Sequence, residues 1–176
     1  MKNLLLVAMV AFAFAACEKI DKLTQFSLDY TTEATIPGTS GLNIPIIMNT
    51  PQTTTNAEQK FSINDTRKDM IEEIYLEEVI LNLKSPSGED FSFLEDITIY
   101  INADGLPERE LAWKRPVPDN TGSVLTLDVS KTDAQEYIKK DEFTLRVQAT
   151  TDEVIQQDHT FEIYTKFFVD AKILGV

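Results

Sequence analysis

Apolar and polar residues alternate with period two along most of the chain. Phe26, Leu28 and Tyr30 alternate with Ser27 and Asp29, the signature of a strand with one buried face. Residues 35–41, Thr-Ile-Pro-Gly-Thr-Ser-Gly, read as a turn. Leu42, Ile44, Ile46 and Met48 resume the alternation, and Pro45, which has no backbone donor, places that strand at a sheet edge or a bulge. Residues 49–59, rich in threonine, read as a loop. Thr66-Arg67-Lys68-Asp69 has the form of a capping box, and Met70, Ile71, Ile74 and Tyr75 follow at helical spacing. These predict a helical turn over 66–72, a strand over 74–84 and a turn at Ser85-Pro86-Ser87-Gly88.

The second half is plainer. Ile97, Ile99 and Ile101 face one way with Thr98 and Tyr100 opposite, and Leu111 and Trp113 form a brief strand closed by Pro116-Val117-Pro118. Leu125, Leu127 and Val129 alternate up to Ser130-Lys131-Thr132-Asp133, a second capping-box pattern that predicts a short helix burying Ala134, Tyr137 and Ile138. Phe143 to Ala149 and Phe161 to Ile173 supply two more strands. Seven to nine strands, spaced by turn signals about every 10–20 residues, predict a mainly β chain folded as an antiparallel β-sandwich with one short helix. In layout it resembles the immunoglobulin-like and LEA14-like sandwiches, and the single-domain sandwiches of many bacterial lipoproteins.

The N-terminus has a different pattern. After Lys2, residues 4–16 are uncharged and built from Leu, Val, Met, Ala and Phe. As a helix they reach about 20 Å, short of the roughly 30 Å hydrocarbon core, so the stretch reads as a signal peptide and not a spanning helix. Phe14-Ala15-Ala16-Cys17 resembles the lipobox of bacterial lipoproteins, with Phe14 in place of the usual leucine, and Cys17 is the chain's single cysteine. The resemblance implies cleavage before Cys17, diacylglycerol on its sulfur and an acyl group on its amine. The expected organisation is a signal peptide at 1–16, a lipidated N-terminus and short tether at 17–23, and one sandwich domain at 24–176. Two lipid chains anchor a protein stably, and the six tether residues extend about 20 Å at most. The resemblance implies a lipid-anchored cell-envelope protein, expected at the outer membrane facing the periplasm with exposure at the cell surface as the alternative, and with the membrane as a partner through Cys17.

Composition narrows the function. The whole chain carries a net charge of −13, and loss of residues 1–16 removes Lys2 and no acid, giving −14. That acidity argues against nucleic acid and polybasic membrane binding. His159 is the only histidine, no Gly-x-Ser-x-Gly motif accompanies it, and it reads as an exposed or edge-strand polar residue. Zinc lacks ligands, and no catalytic residue, metal or cofactor is assigned. Asp90 with Glu95 and Asp96, or Asp152 and Glu153 with Asp158, are loop carboxylates without calcium-loop spacing. A carboxylate pair for glycoside hydrolysis is open among 29 acids.

Trp113-Lys114-Arg115-Pro116 is the local exception, an aromatic and two cations in an acidic chain. Trp113, Lys114 and Arg115 form a candidate contact for an envelope protein or glycan. The competing reading, favoured by the alternation, puts Trp113 with Leu111 in the core and makes Lys114 and Pro116 edge-strand guards. The chain thus reads first as a non-enzymatic envelope lipoprotein, second as a glycan or small-ligand module, third as a carboxylate hydrolase.

Overall fold

Each predicted alternation buries one face, and the buried faces assemble two sheets. The computed structural model describes residues 24–38 and 43–172. The signal peptide, Cys17, the tether, Leu42 and Ile173 lie outside the described residues. Ten strands are described: β1 Gln25–Ile36, β2 Ile46–Asn49, β3 Thr53–Thr54, β4 Ile71–Ser85, β5 Leu94–Asn102, β6 Arg109–Lys114, β7 Val124–Thr126, β8 Asp128–Val129, β9 Glu142–Thr151 and β10 His159–Ala171. Two short helices, α1 Ala57–Ile63 and α2 Gln135–Ile138, and a 3-10 turn at Lys68–Met70 complete the described elements.

One sheet runs β1-β10-β4-β7 and the other β2-β9-β5-β6-β8, with β3 also on β9, and every pairing is antiparallel. The chain is mainly β and folds as an antiparallel sandwich. Its strand order follows a jelly roll, since β1, β4 and β9 each hand the chain to the opposite sheet, and the sequence spacing alone suggests an immunoglobulin-like layout. Between the sheets lie Phe143, Phe161, Phe167, Ile97, Ile99 and Leu81, each at most 2% exposed. Edge-to-face contacts of Tyr30 with Phe143 and Phe167 lock the strands across the core.

Several elements differ from expectation. β1 runs unbroken to Ile36 through residues that read as a turn, because all twelve positions pair with β10. The segment 49–59 contains β3 and the start of α1. That helix is too short to show a period, burying only Ala57 and Phe61. Thr66 caps nothing: its hydroxyl donates to the Lys172 carbonyl at 2.6 Å, so a 3-10 turn replaces the helical turn. The second capping pattern does open a helix with Ala134, Tyr137 and Ile138 buried, yet Asp133 accepts from the Gln135 N–H where Ser130 was the expected cap. β2 sits at a sheet edge, as Pro45 requires.

The antiparallel register defines two poles. Gln25 pairs with Asp170 at the pole where the chain enters, and Ile36 pairs with His159 at the other, twelve residues or roughly 40 Å along. The β4–β5 and β9–β10 connections lie at this second pole. Gly38 is there too, where a Cβ would fall 2.5 Å from the Gln157 backbone.

Candidate binding face and polar cleft

The alternation on β6 is broken by a bulge. Ile99 pairs with Ala112, but its neighbour Tyr100 pairs with Glu110, so Leu111 is the extra residue. Leu111 and Ala112 are both buried, at 1% and 0% exposure. The bulge takes Trp113 out of step with Leu111 and turns it to the outer face, half-buried, opposite Thr98. This overturns the expectation that Trp113 and Leu111 share the core. Nor is β6 a bare edge, because β8 pairs with Ala112 and Trp113.

The register then reads directly as two rows across the outer face. One is Ile47, Gln148, Thr98, Trp113 and Asp128 on β2, β9, β5, β6 and β8. The other is Asn49, Arg146, Tyr100 and Glu110. Two cations are held beside the two aromatic rings. Arg115 donates to Thr98 Oγ1 from Nε (3.1 Å) and from its terminal nitrogen (2.7 Å), pairs with Glu110 at 2.7 Å, and lies 6.0 Å from the Trp113 ring centroid. Arg146 stacks 4.0 Å over Tyr100 and forks onto Glu108 at 2.7 and 2.5 Å. That fork holds the Glu108 carboxyl below the usual carboxylate range, with a further hydrogen bond from Asn102. Lys114 is half-buried and lies 3.4 Å from Asp128.

The face therefore brings Trp113 and Arg115 together with four residues that no sequence motif marks: Tyr100, Arg146, Glu108 and Gln148. Their signal was present, since Thr98 and Tyr100 are the polar positions between buried isoleucines.

The second pole carries a cleft of about 270 Å³ lined by Glu89, Asp90, Phe93, Glu153, Ile155 and His159, among others. His159 corrects another expectation. It is 5% exposed and opens β10, a central strand, because it takes the first inward position of the series that continues with Phe161 and Ile163. Its ring packs on Phe93 at 4.4 Å, and its Nδ1 donates to the Gln157 carbonyl at 2.9 Å. Among the described residues no serine, threonine or cysteine bonds to it.

Asp90 and Glu153, drawn from different candidate calcium sets, meet in this cleft, while Asp158 accepts from the Gly38 N–H at 2.9 Å. Among the described residues no three His, Cys, Asp or Glu side chains are placed to hold a metal ion. Hydrogen bonds from Ser92 lower the Asp90 carboxyl. A glycosidase acid needs the opposite displacement, a carboxyl held protonated near neutral pH.

No protein-family model matches the chain, and no curated protein matches it in sequence. Among solved structures, a carbohydrate-binding module of Clostridium perfringens in complex with GalNAc-β-1,3-galactose is similar over 82% of this chain and 97% of its own, at 11% identity and a TM-score of 0.38. The decameric BFDV capsid protein is similar over 84% of this chain and 98% of its own, at 8% identity and a TM-score of 0.41. These are distant likenesses between β-sandwiches.

Proposed function

We propose that the protein is a lipid-anchored envelope lipoprotein, attached through Cys17, whose sandwich is a binding module with its ligand surface on the outer face of the six-stranded sheet. The anchor rests on the leader and the Phe14-Ala15-Ala16-Cys17 segment. The binding face rests on one observation: a bulge spends a residue of β6 to turn the chain's only tryptophan away from the core, into a row with Ile47, Gln148, Thr98 and Asp128. Large aromatics are stabilised by burial, at about 25 cal/mol per Å² of apolar surface. Turning one outward forgoes part of that stabilisation, which a ligand would recover.

The ligand class that fits is a neutral glycan. The C–H face of a sugar ring packs on an indole, and sugar hydroxyls both donate and accept. Beside the ring stand paired Arg–Glu groups and an amide, with each arginine already neutralised by a carboxylate.

Two experiments test the reading. Metabolic labelling with palmitate, followed by detergent partitioning, should mark the wild type and leave Cys17→Ser unlabelled and water-soluble. A Cys17→Ser variant that stays labelled in the detergent phase contradicts the anchor. Affinity electrophoresis against neutral polysaccharides should retard the wild type and not Trp113→Ala; equal retardation contradicts the face.

A further inference from the structure

The long edge of the four-stranded sheet is open. β1 has β10 on one side, and among the described residues no strand pairs with the other. The remaining sheet edges are short: β2 has four residues, β3 and β8 two each and β7 three, whereas β1 has twelve. Natural sheets protect a long edge with proline, lysine or a bulge that twists it away. Residues 25–36 contain no proline, lysine or arginine. They pair with β10 without a register shift, while β10 meets β4 with three.

The backbone groups on the open side follow from the ladder. The Ala171 N–H donates to the Thr24 carbonyl at 3.2 Å, and the same register carries into β1. Hydrogen-bonded pairs alternate along an antiparallel ladder. Even-numbered residues therefore bond β10, and Gln25, Ser27, Asp29, Thr31, Glu33 and Thr35 turn their N–H and C=O groups outward. Lys60 Nζ, on α1, meets the Asp29 carbonyl from that side at 3.2 Å. The side chains of these outward residues are all exposed. Beside them a groove of about 300 Å³ runs between Ser27–Asp29 and Lys60, Ile63 and Asn64, with Ile63 73% exposed.

We propose that the occupant of this edge is β1 of a second copy, paired antiparallel so that two four-stranded sheets join into one. The strand is self-complementary in a single register. Outward residues must face outward residues, and all of them are used only when Gln25 lies opposite Thr35 of the second copy, Ser27 opposite Glu33, and Asp29 opposite Thr31. Two-fold symmetry repeats each pair, giving about twelve ladder hydrogen bonds. Each acid then faces a hydroxyl. A slide of two residues either way sets Asp29 against Glu33 or against another Asp29, and like charges directly opposite destabilise a ladder. On the inner side, half-buried Phe26 gains Ala34 of the second copy as its neighbour. Lys60 gives way on its flexible stem, and the Thr31 N–H of the second copy takes the Asp29 carbonyl. The pairing involves neither Cys17 nor the Trp113 face.

The test co-expresses two differently tagged full-length chains and reads disulfide-linked dimers on non-reducing gels, over the background of wild-type chains that keep Cys17. Ser27→Cys in one chain and Glu33→Cys in the other sets Cα atoms about 5.5 Å apart in the proposed register, within disulfide range. A mixed-tag dimer is expected from that combination. None is expected from Ser27→Cys in both chains, where the Cα atoms stand about 20 Å apart. Adding Thr31→Pro should abolish the cross-link, since the Thr31 N–H points outward and proline there removes no bond to β10. Sedimentation of the detergent-solubilised chain should show a dimer tightened by Ser27→Lys and weakened by Ser27→Glu. Each effect should be about two- to thirty-fold, the range of a cross-strand charge pair made twice. Ser27 is exposed, so these two variants decide the matter even where Thr31→Pro lowers stability. Equal cross-linking in both cysteine combinations, no cross-link in the first, equal dimer affinity in the two Ser27 variants, or a monomer at every concentration would overturn the proposal.

Discussion

Among single residues, the Glu108–Arg146 fork gives the outer face around Tyr100 a built-in pH dependence. Its hydrogen bonds lower the Glu108 carboxyl in the folded state. The stabilisation is therefore fully present above the unfolded carboxylate value, about 4.3, and is lost as pH falls through the lower folded value. The pair is partly exposed, which limits its worth to about 0.5–1 kcal/mol. Glu108→Gln should be less stable than wild type by that amount at pH 7, and by less at pH 3. Urea midpoints at the two pH values measure it, and an equal gap at both would contradict the assignment. At this scale the sequence is legible only in part. It singles out Trp113 and Arg115 because an aromatic beside cations is rare in this chain. It misplaces the ring, because a bulge is a property of two paired strands and leaves no mark on one. His159 is misread for a related reason: a polar residue at the head of an apolar series is indistinguishable from a flank until the register shows which face it takes.

Among elements, long alternating stretches are legible and short ones are not. β4, β5, β9 and β10 carry enough apolar positions to declare their period. α1 does not, and it is held instead by a side chain that looks ordinary in sequence. Thr55 is 1% exposed; its hydroxyl donates to the Lys140 carbonyl at 2.6 Å and accepts from the Ala57 N–H at 3.3 Å. One residue thus ties β3 and the first turn of α1 to the end of α2. Thr55→Val keeps the shape and strands the Lys140 and Ala57 backbone groups, so a loss of about 1–3 kcal/mol is expected. Chemical denaturation measures this, and a variant of wild-type stability would show that the helix is positioned by Phe61 packing alone.

At the scale of the whole molecule, the two sheets follow from the alternation, but their strand order does not. An immunoglobulin-like and a jelly-roll chain can share the same run of strands and turns, and differ in which connections cross the core. That difference matters for function. The jelly-roll order makes β5 and β9 inner strands of one sheet and assembles a five-strand outer face from segments 47–49, 98–102, 110–115, 128 and 146–148. It also places the cleft at the pole opposite Gln25, and the Trp113 face along the side of the sandwich. The central claim is that this face takes the ligand, and the chain supplies its own reporter, since Trp113 is its only tryptophan. The most direct measurement is intrinsic fluorescence during titration with neutral oligosaccharides. The account predicts a saturable change in tryptophan emission that Arg146→Ala, which removes a neighbouring hydrogen-bonding group and leaves the indole in place, weakens. Emission unaltered by oligosaccharides that the protein demonstrably binds would contradict it.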